Sequence, residues 1–277
     1  MMGKRSPAIY FFKMLIKRIN EDRVFDLAAQ LAYFFLLSLF PFLIFTFSVL
    51  PYIDIDQKDV LAFIGRYAPT EFMDIVEANL KSVFTKNTGV LSFSVIATIW
   101  PVSTAIMAVI RVLNKAYGVE ENRSFIVARS LAILLTFAMI FVIILALALN
   151  VFGPLIGKLL VTHFHVNPKI ISIFDFFRLL FSFLIIIVVF ACLYLFAPNK
   201  RLHFSEVIVG AVFAATGWQV ASLAFSFYVD RIAHFSATYG TLGGIIVLMI
   251  WFYITGFILI LGGEINAALR FSKKMSD

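Results

Sequence analysis

Six polar side chains stand in or beside long apolar runs: Gln30, Arg111, Arg129, Gln219, Glu264 and Asn266. Each is of a type that can hold a charge, pass a proton or hydrogen-bond a solute. The sharpest question comes from LILGGEINAALR, residues 259–270, where a carboxylate closes an apolar stretch. At ~1.5 Å per helical residue, Glu264 lies ~30 Å beyond Ile245, which is the hydrocarbon thickness of a bilayer. Glu264 is therefore expected at a boundary, not a midplane. Gln30, Arg111, Arg129 and Asn266 count to the same depth in their own runs. Charged groups at that depth face the bundle interior and pair, so an ion pair from Glu264 to Arg111 or Arg129 is the expectation. Structural pairing is weighed there against gating or proton coupling. Arg270 is a poor in-helix partner, because six residues place it about 240° around the axis.

A second polar layer falls near mid-run: Ser38, Ser103, Thr104, Thr136, Gln219 and Thr255. Serine and threonine commonly bond their own helix, which leaves Gln219, costlier to bury, as the solute-contact candidate. Pro41 and Pro101 are helix-break candidates, since proline removes a backbone donor and frees carbonyls to line a cavity. Catalytic motifs are absent: no Gly-Lys-Ser/Thr phosphate loop, no His-Glu-x-x-His, no paired cysteines, no Gly-x-Ser-x-Gly. No catalytic residue, metal or cofactor is expected, and the chain is read as a non-enzyme. His163 and His165 form an isolated pair, short of the three or four ligands a metal needs.

The elements that position these residues follow from composition. Of 277 residues, 62% are hydrophobic, 14% are charged and 33 are Phe, with mean hydropathy +0.98. A soluble domain of this length cannot hide so much apolar surface. The runs are helix-length, which disfavours a β-barrel. The expected class is all-α: a polytopic transmembrane bundle forming a single membrane domain, 1–277. Six spans are placed at 27–51, 90–113, 126–152, 176–197, 207–229 and 242–267. Ile9, Phe12, Ile16 and Ile19 recur at helical spacing apart from Lys13 and Lys17, predicting an interfacial helix within 1–24. Pro69 and Thr70 start another amphipathic stretch, so 54–88 is read as an outer helical cap.

Sorting lysines and arginines across six crossings puts 15 of the 23 on the side of the N-terminus. By the positive-inside rule both termini are cytoplasmic. The net charge of +7 then points to anionic lipid headgroups and not to nucleic acid. Cys192, the single cysteine, lies in an apolar run and reads as a packed thiol. Gly210, Ala214, Gly217 and Ala221 form a small-residue stripe suited to close helix contact, within one chain or between the copies of a homodimer.

Three stretches, AYFFLLSLFPFLIF, YLFAPNKRLHFSEVIVGAVFAATGWQ and YGTLGGIIVLMIWFYITGFILILGGEINAAL, resemble the YihY/BrkB family of bacterial inner-membrane proteins. The resemblance runs over about Phe25 to Leu269. The family's recurring pattern falls on Gln30, Tyr33, Pro41, Pro198, Asn199, Tyr239, Gly240, Glu264 and Asn266. It implies six spans in the bacterial cytoplasmic (inner) membrane and a transporter-like role, though members often carry the labels ribonuclease BN or virulence factor BrkB. Three classes stand side by side: transport or export of an amphipathic or anionic solute or lipid between proline-broken helices, a membrane scaffold, and a ribonuclease.

Overall fold

The computed structural model describes residues 7–49, 88–142, 168–231 and 241–274. Among them the chain is entirely helical: α1 Pro7–Glu21, α2 Val24–Val49, α3 Thr88–Ala116, α4 Phe125–Val142, α5 Pro168–Phe196, α6 Phe204–Arg231 and α7 Thr241–Lys274. Four are long and apolar enough to cross a bilayer, over Phe125–Val142, Ile173–Phe196, Phe204–Tyr228 and Gly243–Ser272, with a shorter apolar helix at Val24–Leu39. As helices, such segments satisfy their backbone groups internally, as the hydrocarbon core requires. Residues 54–87 of the expected cap, with Tyr239 and Gly240, lie outside the described residues.

Two compact units can be distinguished, Tyr33–Ala105 and the rest of the chain. In the smaller, neither proline ends its helix: α2 continues through Pro41 and α3 through Pro101. The expected breaks are thus single missing hydrogen bonds inside continuous helices. Hydroxyls after Pro101 add second bonds to carbonyls one turn back along α3. Ser103 Oγ donates to the Ile99 carbonyl at 2.6 Å, and Thr104 Oγ1 to the Trp100 carbonyl at 2.8 Å. Such back-bonding often bends a helix.

In the larger unit α6 packs against both α5 and α7, and α1 lies on α7. Glycine sets the closeness of the α6–α7 contact. A Cβ at Gly210 would overlap the Gly262 carbonyl, and one at Gly262 would overlap the Tyr194 hydroxyl. The small-residue stripe is therefore spent inside the chain, where it lets backbones approach as small residues do in membranes. Tyr194 adds a hydrogen bond of 2.8 Å to the Leu259 carbonyl, tying α5 to α7. Val207, Ala211, Ala214, Ile260 and Ala267 fill the seam with no exposure at all.

Pro7 opens α1 at the first helical position, where its missing N–H costs nothing. Phe12 and Ile16, 61% and 60% exposed, form an outward apolar strip on it. The C-terminus of α3 is closed by Gly118 at φ +60°. Gly118 N–H bonds the Lys115 carbonyl and Val119 N–H the Asn114 carbonyl, a Schellman ending.

Candidate functional site

One end of the larger unit gathers α1, the C-termini of α3, α5 and α7, and the start of α6. There Arg18 Nε donates to Glu264 Oε2 at 2.8 Å. The Glu264 side chain is 1% exposed and that of Arg18 16%. The other oxygen, Oε1, is buried and has no hydrogen-bond partner. Arg18 also donates to the Ala116 carbonyl, one of the acceptors left over at the end of α3. Asp22, just past the end of α1, faces the same guanidinium at 3.9 Å, and Phe271 stacks over it at 5.2 Å. Lys115 reciprocates by donating to the Asp22 carbonyl at 2.7 Å. One arginine thus ties the N-terminal helix to α7 and to α3.

Glu264 was expected to pair with a span arginine, and its partner comes from α1 instead. Depth alone does not say which way a helix face points. On α3, Val112, Leu113 and Asn114 are buried while Arg111 and Lys115, one turn apart, are exposed together, which turns Arg111 away from the core. Arg129 is half-buried on α4 beside the buried Ala128. Gln30 on α2 and Gln219 on α6 are both exposed, so Gln219 is not an amide packed into the seam. In sequence the apolar strip of α1 is the stronger signal and masks Arg18. Phe11, Met14, Leu15 and Arg18, spaced three and four apart, form its other, half-buried face.

Asn266, two residues after Glu264 and about 200° around the helix axis, is fully buried. Its Oδ1 accepts from Gly210 N–H at 2.7 Å and its Nδ2 donates to the Val207 carbonyl at 3.0 Å. A side-chain amide can serve both backbone groups at once only because Gly210 lets α6 come this near. Beside it, burial pushes the Tyr117 phenol above its ordinary range. Further out, Arg270 Nη1 meets Glu206 Oε2 at 3.3 Å. Glu206 also accepts from His203 N–H at 2.8 Å, a capping box at the start of α6.

The loops form a second polar cluster. Asn114 Oδ1 accepts from Asn199 N–H at 2.6 Å, and its Nδ2 donates to Glu121 Oε2 at 2.8 Å. Arg123 grips both oxygens of Glu121 at 2.6 Å and reaches the Ala197 carbonyl at 2.9 Å. Hydrogen bonds from Arg123, helped by Asn114, outweigh burial and hold the Glu121 carboxyl below the usual range. These bonds lock the loop after α3 to the loop after α5. Asn199, Glu264 and Asn266, three of the positions that carried the resemblance, therefore hold elements together at one end of the bundle. Among the described residues, no group of three His, Cys, Asp or Glu is placed to hold a metal.

With every described element helical, four of the described helices long enough to cross a bilayer and a buried ion pair at their end, the chain is a multi-pass membrane protein. A family model described as virulence factor BrkB matches residues 15–276, and the chain belongs to that family. It is 48% identical over 268 residues to a ribonuclease-like protein, YfkH, of Bacillus subtilis, covering 96% of this chain and 98% of the relative. It is 29% identical over 271 residues to a UPF0761 membrane protein of Aliivibrio salmonicida, covering 94% and 83%. A Vibrio parahaemolyticus protein of that description is 28% identical over 283 residues, covering 97% and 85%. No solved structure matches the chain.

Proposed function

We propose that the protein moves an amphipathic or anionic solute or lipid across the bacterial cytoplasmic membrane, through six spans with both termini in the cytoplasm, and that it is not an enzyme. The observation that carries this reading is Glu264. A fully buried carboxylate, with one oxygen on Arg18 and the other without a partner, is costly at the end of a span and marks a functional group by default. Protonation at Oε1 would remove the charge that holds Arg18. That would loosen α1 from α7 and uncap α3, which gives a route from proton binding to opening of this end. The basic residues collected there, from Arg18 and Lys115 to Arg123 and Arg270, support placing it in the cytoplasm and beside anionic lipid. The test is flux of a fluorescent anionic lipid and of small anions in proteoliposomes under a pH gradient. The expected result is movement above that of empty vesicles that falls at least about tenfold in Glu264→Gln. Flux no greater than in empty vesicles contradicts the reading.

A scaffold role is the second reading, favoured by the exposure of Gln219 and of the Phe12–Ile16 strip on α1. It predicts co-purifying membrane proteins lost in Gln219→Leu, with no flux. The name of the Bacillus subtilis relative raises ribonuclease activity. Nuclease-free protein cleaving tRNA, in a way abolished by one point substitution, would displace both.

A further inference from the structure

Between α5 and α6 the connecting residues form a shallow, open hollow of ≈ 580 Å³. Its wall has two chemistries. Leu195, Phe196 and Leu202 are apolar, while Asn199, Lys200 and Arg201 are polar or cationic. The lining contains no acid. The nearest carboxylate in sequence, Glu206, is committed to Arg270 and to the α6 cap. Lys200 also lies over the Phe271 ring at 5.9 Å, on the face of the bundle that Arg18 uses. The hollow sits where one span, Ile173–Phe196, ends and the next, Phe204–Tyr228, begins. Phe196 and Phe204, both exposed, flank it at those two span ends. An apolar wall continuous with the spans, below two cations just outside them, is the complement of a lipid whose phosphate stands at the level where its chains begin.

We infer that this hollow is a binding site for the headgroup of an anionic glycerophospholipid. Lys200 and Arg201 take the phosphate, and Phe196, Leu195 and Leu202 meet the upper chains, while Asn199 holds the loop in place through its bonds to Asn114 and to the Glu120 carbonyl. The second, more apolar groove, lined by Ser222, Phe225 and Trp251 between α6 and α7, has no cation and lacks this pairing. The headgroup site needs only that this end of the bundle meet a leaflet, so it stands or falls apart from transport.

The test uses full-length protein, delipidated in detergent and given equal amounts of phosphatidylglycerol and phosphatidylcholine, with retained lipid counted by native mass spectrometry. Each cation near an anionic surface is expected to favour the anionic lipid by about fivefold. Wild type should retain phosphatidylglycerol preferentially, and Lys200→Gln/Arg201→Gln should lose that preference. Lys13→Gln/Lys17→Gln, which removes equal charge from the exposed side of α1, should keep it. Should the double variant fail to fold, Arg201→Gln alone, at an exposed position, is read in the same way with about half the effect on the logarithm of the ratio. Equal retention of the two lipids, equal loss in the α1 variant, or displacement of the lipid by millimolar inorganic phosphate would each overturn the assignment, the last by indicating a soluble-anion site.

Discussion

Arg18 and Glu264, 246 residues apart in sequence, share a 2.8 Å charge-assisted hydrogen bond at the junction of α1, α3 and α7. The pair has a clear energetic signature. Taking a carboxylate and a guanidinium out of water costs several kcal/mol each, and their attraction offsets it only with good geometry. Removing Arg18 alone, as Arg18→Met, leaves Glu264 buried and uncompensated. It should destabilise the protein by about 3–5 kcal/mol, read as a lowered thermal transition in detergent. Arg18→Met/Glu264→Leu should recover most of that loss, since a buried pair replaced by apolar groups is often neutral. A double variant no more stable than Arg18→Met would show that the two residues do not act as a pair.

The α6–α7 contact makes a steric prediction. At Gly210 even a methyl group meets the Gly262 backbone, which cannot move aside as a side chain can. Gly210→Ala should cost at least about 1–3 kcal/mol by forcing the helices apart. The same separation would stretch both Asn266 bonds, so Gly210→Ala and Asn266→Ala should be less than additive in a double-mutant cycle. Strict additivity would mean that the two contacts are independent.

Gly118 tests the backbone alone. Nothing lies within 4 Å of a Cβ there, so the cost of Gly118→Ala is conformational. An L-residue in the left-handed region should lose about 1–2 kcal/mol, and Gly118→Asn less. A neutral Gly118→Ala would contradict the Schellman ending of α3.

Glu121 predicts a pH dependence. Its carboxyl titrates lower in the folded protein than in the unfolded chain, for which about 4.3 is usual. The folded state therefore binds fewer protons than the unfolded one in this range. The stability it contributes is fully present above about pH 4.3 and is lost as pH falls through the lowered folded value. Glu121→Gln should be less stable at neutral pH and show a flatter acid limb. An unchanged acid limb would place the pH sensitivity elsewhere.

How far the sequence could be read follows from what each signal encodes. Apolar runs encode helices, so the all-helical class and the general course of α4 to α7 were legible, as was the family. The Gly210 stripe was legible too, because small residues at helical spacing have one physical use, although whether they pack within or between chains was not. Pro41 and Pro101 misled in degree: one lost hydrogen bond is written in the sequence, but whether the helix runs on through it depends on the packing around it. Glu264 was found and its partner was not. Depth is a one-dimensional coordinate that fits Arg111, Arg129 and Arg18 alike, and only packing decides which guanidinium points inward. The cluster around Asn114, Glu121 and Asn199 joins the end of α3 to two separate loops, and no periodicity reports it.

The central claim is that Glu264 is retained for proton-coupled movement of a solute or lipid, not for stability. Arg18→Met/Glu264→Leu separates the two, because it keeps the junction packed while removing the titratable group. In proteoliposomes under a pH gradient, this double variant is predicted to be folded and as stable as wild type within about 1.5 kcal/mol, yet to show no flux of anionic lipid or solute above empty vesicles. Flux equal to wild type in that variant would contradict the account and leave the Arg18–Glu264 pair a structural clamp.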